Sequence, residues 1–497
     1  MAPLLAVSPL AYRLWLRDEQ PVPWGTEAER LPLVALIDTS SGEAGLNDTL
    51  RSLESEQIMA LAVGTAAIPT LADVACHIDW TEETWLMPLA AGDVLAPGAA
   101  RTYRDAAARS GASLVYADDD LLGRGARHTP HFKPAWNGEL FRHFDYLTGG
   151  CILRASAQDL DGLSGPAWAV HLVARAAATA ANQPAPFHVC HVLHHRRSRP
   201  RPRIPAPLNI QVAELPLVSV IVPTRNRLDL LRTTLDGLAA TDYPKIEVLV
   251  VDNGSDDPAT LAYLDGLDAP RHRVLRQPGP FNFSALNNRA AAEARGRLLC
   301  LLNNDIEVIE PGWLKAMVWQ ALREDVGAVG AQLLYPDGRI QHAGVVLGVG
   351  GGAAHAHRLL RPDEEGYFYR HALPQFVTAV TAACLVVQRE RFEAVDGLDE
   401  QNFAVAFNDV DLCMRLNRRG WQSLYEPRAT LVHHESVSRG SDRDPVGAAR
   451  LSGELAALQG LWGTGEVVDP FHHPQLSRFS ERFVVNLQDA GHDRLSR

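Results

Sequence analysis

The middle of the chain alternates between two periodicities of apolar and polar positions. VSVIVP (218–223) is an unbroken apolar, β-branched run, the pattern of a strand buried on both faces. LDLLRTTLDGLAA (228–240) follows with apolar residues at helical spacing, and IEVLVVD (246–252) and LLCLLNND (298–305) return to the strand pattern. Apolar strand, helix, apolar strand predicts βαβ units and a doubly wound sheet, whose ligands bind beyond the carboxyl ends of the strands. The polar clusters PTRNR, DNGSDD and NND fall at those ends.

The same pattern occurs twice. LPLVALIDTSSGEAGLNDTLRSL (31–53) echoes LPLVSVIVPTRNRLDLLRTTLDGL (215–238). LMPLAAGDVLAPGAARTY (86–103) echoes LCLLNNDIEVIEPGWLKAM (299–317), which pairs Asp93 with Asp305. PAWAVHLVAR (166–175) echoes FNDVDLCMR (407–415), pairing Ala169 with Asp409, and CHVLHH (190–195) echoes TLVHH (430–434). The expected organisation is two copies of one α/β unit: residues 1–195, a linker at 196–214, a second domain at 215–465 and a tail at 466–497. The linker, RRSRPRPRIPAPLN and the residues after it, reads as a solvated semi-rigid spacer, because proline removes donors and stiffens the chain. The tail, with FHHPQLSRF, reads as a helical or partner-docking piece.

Charge and cysteine usage narrow the class. The net charge of −12 argues against a nucleic-acid partner, which requires a basic face. The 6 cysteines lie far apart with no CxxC, so neither a zinc site nor a disulfide framework is expected. Arg13, Arg17 and Asp18 interrupt the apolar N-terminus too early for a signal peptide, and no run reaches the roughly 18 apolar residues of a membrane span. A cytoplasmic protein is expected, reaching the inner face of the membrane only by peripheral association.

The strand-end clusters suggest specific chemistry. Pro223, Thr224 and Asn226 suit contact with a nucleotide through hydroxyl and backbone groups. Asp252 is placed to accept from a base N–H, with capping of the DNGSDD turn as the structural alternative. Asn303, Asn304 and Asp305 crown a leucine-rich strand, where a carboxylate holds Mg²⁺ or Mn²⁺ against a diphosphate. In FNDVDLCMRLNRRGW, Asn408 reads as an N-cap, Asp411 as a charge favoured by the helix dipole, and Gly420 as the stop. The Gly-rich block at 333–357 lacks a phosphate-loop context and reads as a flexible loop over an acceptor pocket.

Together VSVIVPTRNR, EVLVVDNGSDD, FNFSALNNRAAAEARGRLLCLLNNDIEV, TAACLVVQRERFEAVDGLDE, FNDVDLCMRLNRRGW and LVHHESVSRG resemble the inverting glycosyltransferases of family 2. Among these the sequence looks most like rhamnosyltransferase-like enzymes of bacterial surface-polysaccharide and O-antigen synthesis. That resemblance implies two tandem GT-A-like domains, Rossmann-like with mixed, mostly parallel sheets. It implies a nucleotide-diphosphate sugar as donor and a glycan or lipid-linked hydroxyl as acceptor. It also implies Asp409 as general base, and Asp305 with His433 (His434 being the alternative) as holders of a divalent metal. Donor contacts are implied at Pro223, Thr224, Asn226, Asp252, Asn288, Arg295, Asn303 and Asn304. Asn303 stands where many relatives carry aspartate. The first copy carries YADDD (116–120) and PHFKPAW (130–136), which match motifs in the N-terminal part of such proteins. It lacks the base and the nucleotide carboxylate, so it reads as a degenerate, non-catalytic copy. The competing reading is a glycan- or nucleotide-binding scaffold with no active copy.

Overall fold

A computed structural model describes residues 8, 10–19, 31–123, 126–179, 184–206, 215–267, 271–434 and 444–487. The chain forms two compact units: residues 1–202 with 472–477 and 484–497, and residues 203–471 with 478–483. Among the described residues, no helix is long and apolar enough to cross a membrane.

The first unit holds strands β1 (Leu33–Asp38), β2 (Met59–Val63), β3 (Thr84–Ala90), β4 (Val94–Leu95), β5 (Leu114–Leu122), β6 (Arg127–His131), β7 (Cys151–Ala155) and β8 (Phe187–Arg196). Their order is β2-β1-β3-β7-β5-β8-β4, with β6 paired to β5. In the second unit the strands are β9 (Val218–Thr224), β10 (Ile246–Asp252), β11 (His272–Arg276), β12 (Leu298–Leu302), β13 (Ile306–Val308), β14 (Val326–Leu334), β15 (Ile340–His342), β16 (Val345–Leu347), β17 (Ala353–His355), β18 (Gln375–Val377), β19 (Cys384–Gln388) and β20 (Gln422–His433). The main sheet runs β11-β10-β9-β12-β19-β14-β20-β13, with β15 on β14 and β18 on β20.

The repeat read from the sequence is a repeat of topology. Without the edge strand β11, the second order maps onto the first position by position. Strand directions agree as well: β1 lies parallel to β2 and β3, as β9 does to β10 and β12. β4 runs antiparallel to β8, as β13 does to β20. Both β5–β8 and β14–β20 are parallel pairs broken by a register shift.

The unbroken apolar runs follow from burial on both faces. Ile221, Leu249, Val251, Leu299 and Leu301 face one core, against Phe283, Leu286 and Ala290 of the helix Phe283–Glu293. Their neighbours Val220, Val222, Val248, Val250, Cys300 and Leu302 face the other. That second core is covered by Leu231, Leu235 and Leu238 of the helix Leu228–Ala240 and by Trp313, Leu314 and Met317 of the helix Trp313–Ala321. Each such leucine contributes about 1.5–3 kcal/mol by leaving water. The period of two in each strand therefore sorts its residues between helical layers, and the strand ends are left to carry polar groups.

Three expectations need correction. The Gly-rich block is not a loop: Ile340, Val345, Val346 and Leu347 are buried and draw it into β15 and the β16–β17 hairpin. The described part of the tail has no helix; its residues 472–477 belong to the first unit and 478–483 to the second. The linker is not solvated at its start, because Arg196 and Arg199 turn their guanidinium groups into the first unit. Residues 207–214 of the linker, 435–443 including ESVSRG, and 488–497 lie outside the described residues.

Close packing between β14 and the segment before β19 gives a test. A Cβ on Gly330 would be driven into the Val380 side chain, which is fully buried in the core. Gly330→Ala is expected to destabilise the second unit by about 1–3 kcal/mol through overpacking. Urea denaturation checks this, and an unchanged midpoint would mean the contact relaxes freely.

Candidate active site

The carboxyl ends of β9 and β12 and the turn into β13 bring the polar clusters together. Asn304 donates from Nδ2 to Thr224 Oγ1 at 3.0 Å, which ties the third cluster to the first. The backbone N–H of Asn303 donates to the carbonyl of Ala383 at 3.0 Å, continuing the β12–β19 ladder. Beside this junction the backbone N–H of Ala382 donates to Asp409 Oδ2 at 3.0 Å. Asp409 is the second residue of the helix Asn408–Arg418, so the dipole of that N-terminus favours its charge. Its other oxygen accepts from the N–H of Val410 at 2.8 Å.

Asp305 sits in the turn between β12 and β13, and His433 ends β20. Antiparallel pairing sets Ile306 opposite His433, and the backbone N–H of His434 donates to the carbonyl of Asp305 at 3.0 Å. This register puts His433 Nε2 3.1 Å from Asp305 Oδ1. Asn303 Nδ2 also reaches His433 Nε2, at 3.2 Å. His434 is engaged elsewhere: its Nε2 lies 2.9 Å from Glu307 Oε2. Of the two histidines, His433 is therefore the one that faces the aspartate.

Asp305 and His433 are both buried, at 4% and 6% exposure, and together offer a hard oxygen and an imidazole nitrogen. That donor set suits Mn²⁺ or Mg²⁺ completed by phosphate oxygens and water. A separation near 3 Å matches the edge between adjacent ligands about 2.1 Å from an octahedral ion.

Residues 219–383, which span this sheet from β9 to the turn before β19, match the family model of glycosyl transferase family 2. The match is to residues 219–383, about a third of the chain. Protein y4gI of Sinorhizobium fredii is 39% identical over 421 residues, 76% of this chain and 46% of that protein. The O-antigen biosynthesis protein RfbC of Myxococcus xanthus is 36% identical over 437 residues, 78% of this chain and 33% of that protein. The N-acetylglucosaminyl-diphospho-decaprenol L-rhamnosyltransferase of Mycobacterium tuberculosis is 29% identical over 255 residues, 47% of this chain and 79% of that protein. The chain thus spans less than half the length of the first two relatives.

Within the second unit the other expected contacts divide. Pro223 and Thr224 close β9 at the site, both buried. Asp252 ends β10, but Arg276 Nη1 pairs with its Oδ2 at 2.8 Å and the N–H of Ser255 donates to its Oδ1 at 3.0 Å. Its carboxylate thus caps the DNGSDD turn in this state. Asn226 adopts a left-handed φ of 53° and clamps two loops, its Oδ1 accepting from the N–H groups of Asp256 and Asp257. Asn288 commits its amide to the turn at Leu398 and Glu400. Arg295 precedes β12 and donates its N–H to Glu247 at the start of β10. It lies at the opposite end of the sheet from Asn303, so strand direction removes it from the site. Asn408 opens the helix but does not cap it: Phe407 is the N-cap, and Asn408 Nδ2 donates to the carbonyl of Val405. Asp411 accepts from Trp462 Nε1 and from Arg415, a structural role as expected.

Gln341, His342 and His355 were missed by reading the Gly-rich block as a loop. Gln341 Oε1 lies 2.7 Å from His433 Nδ1. His342, fully buried, meets His355 Nδ1 with its own Nδ1 at 2.8 Å. Burial, and then His355 and His433, hold its imidazole well below the ordinary range. The available signal was two adjacent polar residues, Gln341 and His342, inside an otherwise apolar stretch.

In the first unit, the equivalent register pairs Val94 with His195, so Asp93 and His195 stand where Asp305 and His433 do. A guanidinium occupies this corner: Arg196 Nε lies 3.6 Å from Asp93 Oδ2, while the N–H of Arg197 donates to Oδ1 at 2.9 Å. Val63 stands at the place of Asp252, being paired with Asp38 as Asp252 is with Thr224. Ala169 is second in the helix Trp168–Thr179, the place of Asp409. The acids of YADDD are buried and paired: Asp119 with Lys133, Arg196 and Arg199, Asp120 with Arg127 and His195. Burial pushes the Asp119 carboxyl up, but Lys133, Arg199 and Arg196 outweigh it and hold it well below the usual range. Folding also gathers His188, Cys190 and His473, which linear spacing had not suggested. Both histidines place Nε2 on Asp118, at 2.9 and 2.8 Å, and the N–H of Gln475 donates to His473 Nδ1.

His131 and His194 are also buried there and His188 is largely so, and burial lowers the affinity of each for a proton. An unfolded histidine takes up its proton near pH 6.5, whereas these folded ones do so only at lower pH. Stability is therefore greatest above about pH 6.5 and falls as pH drops below it, by up to about 1.4 kcal/mol per pH unit per histidine. Hydrogen exchange in β8, corrected for the intrinsic rate, is expected to accelerate between about pH 7 and 5. A flat profile would show that the burial cost is absent.

Proposed function

We propose that the second unit is an inverting glycosyltransferase of bacterial surface-polysaccharide synthesis. It moves a sugar from a nucleotide-diphosphate donor to a hydroxyl of a glycan or lipid-linked acceptor. The observation that carries this reading is the convergence of Asp305, His433 and Asp409 on one end of one sheet, through Asn303 and the Ala382–Ala383 junction. The similarity to an O-antigen biosynthesis protein and a rhamnosyltransferase supports the same class.

Asp409 takes the proton from the acceptor hydroxyl as its oxygen attacks the anomeric carbon, and the nucleoside diphosphate leaves from the opposite face. The N–H groups of Ala382 and Val410 keep the carboxylate oriented for that transfer. Asp305 and His433 hold Mn²⁺ or Mg²⁺, which when bound offsets the charge on the leaving diphosphate and removes the need for a general acid. Thr224 and Asn304 border the donor side.

Asp409→Asn is expected to lower sugar transfer by about 10²–10⁴-fold while donor binding stays unchanged. Equal turnover by both proteins would remove Asp409 from the mechanism. A screen of nucleotide sugars by thermal shift with Mn²⁺ identifies the donor for this assay, because a ligand of the folded state raises its melting point.

The first unit acts as a scaffold or acceptor-binding module without chemistry of its own. The reading rests on the Arg196 guanidinium beside Asp93 and on Ala169 in place of a base. Asp93→Asn is expected to leave metal-dependent turnover within about twofold of wild type, whereas Asp305→Asn reduces it at least about tenfold. Equal losses in the two variants would make the first unit a participant.

A further inference from the structure

We propose that Gln341 is a positioning residue of the metal site, fixing the proton of His433 on Nδ1 so that Nε2 turns its lone pair toward the ion. The inference rests on the reading that Asp305 and His433 hold a divalent cation, and it adds the group that makes His433 a ligand.

An imidazole ligates a metal only through a nitrogen without a proton, so the opposite nitrogen must carry one and needs an acceptor. Gln341 Oε1 stands 2.7 Å from His433 Nδ1, and both side chains are buried, at 3% and 6% exposure, away from competing water. An amide oxygen accepts only, so in this pairing Nδ1 is the donor. Asn303 supports the same state from the other side. Its amide N–H₂ can only donate, and at 3.2 Å from His433 Nε2 it meets a lone pair there. The Nε2 lone pair and Asp305 Oδ1 are then two acceptors 3.1 Å apart, an arrangement that a shared cation stabilises.

The backbone explains why Gln341 can hold this geometry. It is the central residue of β15, whose neighbours Ile340 and His342 pair with Leu334 and Leu333 of β14 across a register shift. β14 is in turn paired along its length with β20, the strand that ends in His433. Both partners are thus on sheet strands, the rigid support that a site needing sub-ångström placement requires. The first unit provides an internal comparison. His195, at the register of His433, also has an acceptor at Nδ1, the Oδ1 of Asp120 at 2.8 Å. The acceptor there comes from β5, which is equivalent to β14, so the two copies meet the same requirement from different residues.

The experiment measures Mn²⁺ affinity by electron paramagnetic resonance with the full chain and the metal alone. Gln341→Leu, similar in size but without an acceptor, is expected to weaken Mn²⁺ binding about 10–100-fold. Gln341→Glu keeps an acceptor at the same reach and is expected to bind Mn²⁺ at least as tightly as wild type. Gln341→Asn, one methylene shorter, is the second loss variant if the leucine protein fails to fold. A readout independent of metal is the ¹⁵N spectrum of histidine-labelled, metal-free protein. His433 is expected as the Nδ1–H form in wild type and in Gln341→Glu, and no longer held in that form in Gln341→Leu or Gln341→Asn. If Asp305→Ala abolishes Mn²⁺ binding while Gln341→Leu and Gln341→Asn leave it unchanged, the positioning role is wrong and the metal site stands. If Asp305→Ala leaves Mn²⁺ binding unchanged, the metal reading itself fails, and this inference with it.

Discussion

The second unit depends on the antiparallel pairing of β13 with β20, which sets Ile306 opposite His433 at the end of the sheet. A slip of one residue would turn His433 to the other face and replace it with Val432 or His434. With this register, an aspartate and a histidine more than a hundred residues apart in sequence come within 3.1 Å. The register is itself held by burial: Ile306 and Leu431 are fully inaccessible and belong to the same core as β9, β10 and β12. Hydrophobic packing of the sheet thus places the polar groups, and the chemistry has no separate scaffold of its own.

The first unit shows how the same backbone behaves when the polar set changes. Strand order and directions are retained, along with Asp93 and a histidine in register, yet the corner is filled by the chain's own cation. A buried carboxylate is costly unless it is paired with a positive group or takes up a proton. Lys133 and Arg199 meet that requirement for Asp119, whereas at Asp93 burial outweighs Arg196, 3.6 Å away, and pushes the carboxyl up. What had looked like a basic, proline-rich spacer therefore begins with groups that the first unit needs.

Much of this was legible because strands buried on both faces leave an unmistakable apolar run, and because the polar residues that interrupt such runs fall at their ends. Asp305 was singled out that way, His433 and Asp409 were singled out by resemblance, and the repeat in sequence anticipated the matching sheets. The failures have equally physical causes. Arg295 was judged by its neighbours in sequence, although a residue preceding β12 lies at the wrong end of that strand. Asn288 is polar for the sake of a turn at Leu398, a contact over a hundred residues away that no local pattern announces. Gln341 was hidden by glycines: Gly344 and Gly348, with φ of 94° and 81°, permit tight turns between short strands and made the segment resemble a loop. The gathering of His188, Cys190 and His473 depends on the tail joining the first unit, which composition does not encode.

The proposed function requires a divalent ion to bind at Asp305 and His433, beside Asp409. Anomalous scattering at the manganese edge, from crystals of the full chain grown with Mn²⁺ and its donor nucleotide, tests it most directly. The account predicts a single strong peak beside Asp305 and His433, and none at Asp93. A peak at Asp93, or density for the nucleotide with no manganese at Asp305, would contradict it.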